Sequence, residues 1–503
     1  MSVRRLLPLL LLTACEPGKV QLDGPDETGG ETGTDTSDTS DTSHTGETDS
    51  ADTSDTSDTS HTGETAETDT GEPGPVFTEL AVSTDAEVVT LLHVSWTQAR
   101  PTDTVWVEFR FEDDSWLRSP VRPGAVGAHT EVLLGVPAEQ VVDWRLVGEL
   151  GEKAVTAEGP PGATGSLPRD LTVPVVNTWE PGLASGERYM LGSVDVSDHW
   201  YYGPFWAFIV DRQGRVVWYR ETPGSKLSLY VQPSRDNTHV YVDNSTQYVF
   251  DGSQQPGVTR LTLDGRWQEE IEIESYGFPS DELDGGGILY ESRESGVRLA
   301  VRWPDGSDEV LWDCSAYMRE VGGRESGCNP NTIVWDPERN TVFWSMYKID
   351  HVFEVDLGAG EVVRSFGQQH TIETHAFDPL ADVVDYQHYV NWTPEGTILA
   401  STHVLGEPNV QVTNEYAVDD DAATLSTVWT YEGTGFYAEY AGEAQRLAEG
   451  NTLIGYGTDG AVREVTPDGQ IAWEIVWEGD RSNHLVGHMT LLDDLYALNE
   501  GPG

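Results

Sequence analysis

From residue 208 to residue 473 the chain repeats one pattern: a strand of alternating apolar positions, a turn rich in Asp and Gly, and a second strand often ending in Trp. Six copies are readable, at Phe208–Trp218, Arg260–Trp267, Val301–Trp312, Phe353–Val363, Glu415–Trp429 and Arg463–Trp473. The fifth is the loosest, with its turn at Asp419, Asp420 and Asp421. Each copy after the first follows a polar turn leading into an apolar strand. These leads are Gly286–Tyr290, Asn340–Trp344, Gly396–Ala400 and Asn451–Gly455, with Asn237–Val242 opening the series. A recurrence of roughly 50–56 residues fits one four-stranded blade per copy. The pattern predicts a six-bladed β-propeller over residues 177–503. The last strand, Met489–Tyr496, has no hairpin after it and the first hairpin lacks strands before it, so the two ends are expected to share a blade.

Upstream, residues 76–176 carry short alternating strands, Leu92–Trp96, Val105–Phe111, Thr130–Leu134 and Val142–Val147, separated by Pro, Gly and Asp turns. That spacing predicts an immunoglobulin or fibronectin III-like β-sandwich. The fold class expected for the whole chain is all-β.

Residues 20–75 have almost no apolar positions, and the segment Asp35–Thr48 recurs identically as Asp52–Thr65. Such a stretch has nothing to bury and repels itself, so it is expected to be a disordered acidic linker. Its Asp repeats lack the glycine turn and bidentate Glu of a dedicated calcium loop. Residues 1–19 read as an export signal with a lipobox. Arg4 and Arg5 precede the apolar run Leu6–Leu12, and Leu12-Thr13-Ala14-Cys15 follows. Cleavage before Cys15 and acylation of its thiol are expected, with the membrane reached through the lipid anchor only. The apolar run is too short to span a bilayer. The expected location is the bacterial cell envelope, its periplasmic or surface face left open.

Composition agrees with β structure: 17 Trp, 19 Tyr and 52 Gly against 5 Met and 3 Cys. The formal net charge is -57, and no Lys or Arg occurs between Lys19 and Arg100. A surface of that sign repels nucleic acid, which is excluded as a partner. Sixteen Asp or Glu fall in residues 20–75, so most of the acidity belongs to the rest of the chain. Cys314 and Cys328 lie in a Gly-rich, charged segment. Two cysteines are too few for a metal site, and in an oxidising compartment a disulfide closing that loop would contribute about 3 kcal/mol.

The segments Glu443–Leu447, Asn451–Ile454 and Arg463–Gly469, with Asn331–Pro337 and Phe353–Asp356, resemble the bacterial arylsulfotransferase family over about residues 180–503. That family is a six-bladed propeller preceded by a β-sandwich. The resemblance implies transfer of a sulfuryl group from one phenolic ester to another phenol, without a nucleotide donor and with no cofactor. A small phenolic or sulfated molecule is the partner implied.

The chemistry requires an imidazole to attack sulfur and cationic or hydrogen-bonding groups to hold the sulfuryl oxygens. In Gln387–Gly396, His388 matches the place of the family's covalent histidine. At the places of a supporting histidine and an arginine this chain has Asn329 and Tyr347, and a further histidine position falls near Gly277 or Phe278. Asn and Tyr donate hydrogen bonds but bring no positive charge. His403, at the end of Ile398–His403, is expected near His388. The alternative is a binding or scaffold propeller that kept the fold without the chemistry. His370 and His375 have the wrong spacing for a helical zinc motif, so no metal is expected. Trp335 and Trp392 could be core or ligand-facing.

Overall fold

The computed structural model describes residues 74–112, 115–195, 204–222, 226–245, 255–368, 375–377, 384–404, 410–478 and 484–502. The segment expected to be an export signal, with Cys15, the expected acidic linker with its duplicated stretch, and His370 lie outside the described residues. The described residues form largely antiparallel sheets, with one parallel pairing of Ala376–Phe377 to Thr424 and Leu425, and one α-helix; none of their helices is long and apolar enough to cross a membrane.

Residues 77–163 form two sheets around one core. Phe77–Thr84, Leu92–Gln98 and Gly127–Leu133 make the smaller; the larger is built on Thr102–Phe111 paired with Val141–Leu150. In Leu92–Gln98 every second residue is buried, the signature of a strand with one face on a core. Val94, Trp96, Val107, Phe109, Trp144 and Leu146 meet there, and the buried Trp144 indole donates to the Pro160 carbonyl at 2.7 Å.

Six more sheets follow between residues 175 and 492. Five open on a strand that is followed by its neighbours in chain order: Val231–Pro233, Tyr276–Glu282, Pro330–Asp336, Val390–Trp392 and Gly442–Arg446. The sixth joins distant parts of the chain. Its strand Tyr189–Asp195 pairs with Phe205–Asp211 on one side and with Leu485–Val486 and Thr490–Leu492 on the other. Val175–Trp179 also crosses over, pairing with Ile471–Val476. The expected sandwich boundary at residue 176 therefore falls inside a strand that belongs to a later sheet.

The turns explain why the repeat was visible in sequence. Between the last two strands of each sheet one residue is left-handed: Gly214, Gly265, Gly306, Gly360 and Gly469, with Ala423 (φ 50) in the loose fifth copy. Side chains then link a sheet to the turn of the next. The indoles of Trp218, Trp429 and Trp473 donate to the carbonyls of Leu263, Pro467 and Arg212 at 2.7, 2.8 and 2.9 Å. Arg364 makes the same kind of link through its guanidinium to Asp420, at 2.7 and 3.0 Å.

Two details differ from the sequence expectation. Trp267 does not end a strand; it closes a turn in which Thr262 N donates to its carbonyl, and the strand begins at Gln268. The segment between the cysteines is not all loop: Cys314–Glu320 is helical, capped by the Asp313 carboxylate accepting from Ala316 N at 2.7 Å. Cys314 and Cys328 are joined as a disulfide.

Candidate functional site

The opening strands of five sheets, and the break between Leu485–Val486 and Thr490–Leu492 in the sixth, border a cavity of about 120 Å³. Tyr230, Phe278, Asn331, Tyr389, Glu443 and His488 each reach it from a different sheet. Three of the four residues singled out from sequence, Asn329, Tyr347 and His388, also line it. The fourth, His403, does not line the cavity; its ring packs against His388 at 5.6 Å and against Tyr437 at 4.9 Å.

His388 precedes the strand Val390–Trp392, and its N–H donates to the Ser401 carbonyl. Both ring nitrogens are engaged. Nε2 lies 3.2 Å from the Glu439 carbonyl, an acceptor, so Nε2 carries the proton. Nδ1 then accepts from the Asn331 amide at 3.2 Å, and the same amide donates to the Gln387 carbonyl at 2.6 Å. Burial lowers the His388 pKa to about 4, against a smaller opposing effect of the Glu439 carbonyl. The ring is therefore neutral near pH 7, with its lone pair on Nδ1.

Asn329 and Tyr347 are bound to each other through the backbone, Tyr347 N donating to Asn329 O at 3.1 Å. Asn329 directly follows the disulfide-bonded Cys328. The half-buried Tyr347 ring stands 5.5 Å from those of His388 and Tyr386, and burial, followed by nearby Tyr440, raises its pKa. His403 is nearly enclosed, and neither of its ring nitrogens has a hydrogen-bond partner among the described residues. Burial, then neighbouring His388, pushes its pKa down to about 3.

Sequence reasoning missed His488 and overlooked the side chain of Glu443. His488 Nδ1 and Glu443 Oε2 are 2.8 Å apart, both buried, and Glu443 Oε1 accepts from Met489 N at 2.9 Å. The backbone puts His488 there by breaking the strand. Between Leu485–Val486 and Thr490–Leu492 its N–H leaves the sheet and donates to the Leu229 carbonyl. The approach depends on Gly487, where a Cβ would lie 2.3 Å from the Leu229 carbonyl oxygen. The rings of Tyr230 and Tyr389 flank the imidazole at 5.9 and 5.5 Å, nearly parallel to it. A polar residue within the apolar run Leu485–Met489 was the available signal.

Trp335 and Trp392 do not line this cavity, though Trp335 borders a neighbouring one with Arg235 and Tyr389. Arg235 lies over the Trp335 ring at 4.9 Å, and Arg339 over Trp392 at 4.2 Å. His375 bonds to Asp420 at 3.1 Å. Among the described residues no Lys or Arg lines the cavity. Among the described residues no group of three His, Cys, Asp or Glu could hold a metal ion.

No model of a known protein family matches the chain, and no curated protein matches it. Among solved structures it is similar to a protein of unknown function from Bacteroides caccae, at 12% identity and a TM-score of 0.40, over 61% of this chain and 100% of that one. It is similar at 12% identity and 0.39 to a chain of a nidogen/laminin complex, over 60% and 97% of the two chains. Virginiamycin B lyase from Staphylococcus aureus gives 11%, a TM-score of 0.34, and coverages of 60% and 95%. Likeness at this level assigns neither fold nor activity.

Proposed function

We propose that the chain is an exported lipoprotein anchored through Cys15, whose acidic linker and immunoglobulin or fibronectin III-like β-sandwich carry a six-bladed β-propeller, and that the propeller binds a small phenolic molecule in its central cavity. The observation that carries the ligand class is the lining: tyrosine rings, two histidines and one carboxylate drawn from six sheets around a space of about 120 Å³. Flat rings offer stacking faces, and the His and Asn side chains offer hydrogen bonds to an aryl hydroxyl.

Thermal unfolding of the purified chain with 4-nitrophenol tests this. A bound ligand at a hundred times its Kd stabilises by about 2.7 kcal/mol, so the midpoint should rise with ligand concentration, and Tyr347→Ala should abolish the rise. An unchanged midpoint across the concentration series would refute the reading.

A second reading is sulfuryl transfer of the arylsulfotransferase type, favoured by the meeting of Asn329, Tyr347 and neutral His388 in one cavity. His388 Nδ1 would attack sulfur as the aryl oxygen leaves. Binding alone is preferred because among the described residues no Lys or Arg lines the cavity to hold the three sulfuryl oxygens. Incubation with 4-nitrophenyl sulfate and a phenol acceptor separates the two. Turnover lost in His388→Ala would establish transfer; no turnover by the wild type would leave binding.

A further inference from the structure

The pair His488–Glu443 gives the cavity a chemical preference that its other residues do not. Its imidazole is fixed in place, because the rings of Tyr230 and Tyr389 stack near it at 5.9 and 5.5 Å and Nδ1 is committed to the Glu443 carboxylate. Glu443 is itself fixed by Met489 N, at 2.9 Å, and by Gln445 Nε2, at 3.3 Å. That leaves Nε2, whose other contact is a long 3.4 Å approach to Thr490 Oγ1, as the nitrogen open to a ligand. His388, by contrast, has both nitrogens occupied by protein groups.

We infer that His488, oriented by Glu443 and stacked against Tyr230 and Tyr389, is the anion-holding group of the cavity, and that the ligand is an acidic phenol bound as its phenolate. The inference rests on the reading of the cavity as an aryl site. The proton balance is simple. The aryl O–H bond breaks, an N–H bond forms at Nε2, and Glu443 stays a carboxylate beside the resulting imidazolium. A phenolate arriving from solution at an already protonated His488 gives the same complex.

The surrounding charges agree with this assignment. Burial by itself lowers the pKa of His488, but Glu443 and then Asp281 more than offset it, so the imidazole keeps its proton to higher pH than usual. Arg235 opposes them, and Tyr230 and Tyr389 are neutral at ordinary pH, each pushed up by burial. Among the described residues that line the cavity, protonated His488 is thus the one cationic group.

Absorbance titration with 4-nitrophenol, whose phenolate is coloured and whose phenol is not, tests the inference on the intact chain, with 4-nitroanisole as the probe lacking the ionisable hydroxyl. At a pH where free 4-nitrophenol is mostly protonated, binding should bring up the phenolate band. 4-Nitroanisole should bind at least about tenfold more weakly, the size of a charge-assisted hydrogen bond. His488→Gln, checked for folding by circular dichroism, should bind 4-nitrophenol about tenfold more weakly and without the band. Equal binding of the two probes by wild type, or a phenolate band retained in His488→Gln, overturns the inference and leaves the aryl site standing. Failure of folded wild type to bind either probe removes the aryl site itself. The wild-type comparison of the two probes decides the matter even where the variant fails to fold.

Discussion

The Asn331 side-chain amide divides its two hydrogens between the Gln387 carbonyl and Nδ1 of His388, at 2.6 and 3.2 Å. A residue of one sheet thereby sets the tautomer of a residue in the next. His388 should give the nitrogen chemical shifts of an Nε2–H imidazole, unchanged between pH 7.5 and 5.5, because its pKa is held down to about 4. An Nδ1–H signal would contradict the arrangement. Asn331→Ala leaves the Gln387 carbonyl and Nδ1 unpaired and should cost about 1–3 kcal/mol in denaturant unfolding.

His351 supplies a clean pH test, since it is fully buried, packs on Phe353 at 4.9 Å and has no partner for either ring nitrogen among the described residues. Burial lowers its pKa to about 3. Below the ordinary imidazole pKa of about 6.5 the unfolded chain takes up a proton that the folded chain refuses, so this residue costs stability as pH falls. His351→Leu removes that cost. The stability difference between variant and wild type should move in the variant's favour by about 2 kcal/mol from pH 7.5 to pH 5. A difference independent of pH would show the ring to be solvated.

Ala423 holds φ 50 where the other five sheets place glycine. The left-handed conformation costs a residue with a Cβ about 1–2 kcal/mol. Ala423→Gly, at an exposed turn, should therefore stabilise, by roughly 1 kcal/mol after the added flexibility of the unfolded chain is counted. Thermal unfolding reads the sign directly.

Gly487→Ala should do the opposite. The added Cβ meets the Leu229 carbonyl oxygen and Ser193 Oγ, both 2.3 Å away, and relief requires backbone movement at Leu229 or in the segment that carries His488. We expect a loss of about 2 kcal/mol or more, in the range for overpacked sites. A 4-nitrophenol titration should also lose affinity, whereas Ala423→Gly should leave it unchanged.

The sequence was most legible where structure is local. The left-handed turns, marked by glycine at five of six sites, announced the hairpins, and the alternation in Leu92–Gln98 announced a half-buried strand. The helix Cys314–Glu320 was not legible because seven residues hold under two turns, too few to show a period. The strand Val175–Trp179 was not legible because its partner, Ile471–Val476, lies nearly three hundred residues away and nothing local marks the pairing. Asn329, Tyr347 and His388 were found through the motifs around them. The pairing of His488 with Glu443 was not, since the two come from different sheets and meet through a break in a strand that only Gly487 hints at.

The pairing of Tyr189–Asp195 with strands near residue 490 also orders events in time. A chain emerging N-terminus first makes its early hairpins at once, but the sheet that receives His488 stays open until the final stretch appears. Until then the cavity lacks one wall, and the strand Tyr189–Asp195 presents an unpaired edge to anything nearby. Long-range closures of this kind are slow to form. A shortened product ending before residue 485 would therefore expose a sticky, ligand-blind intermediate, one that quality control would have to recognise by its open edge.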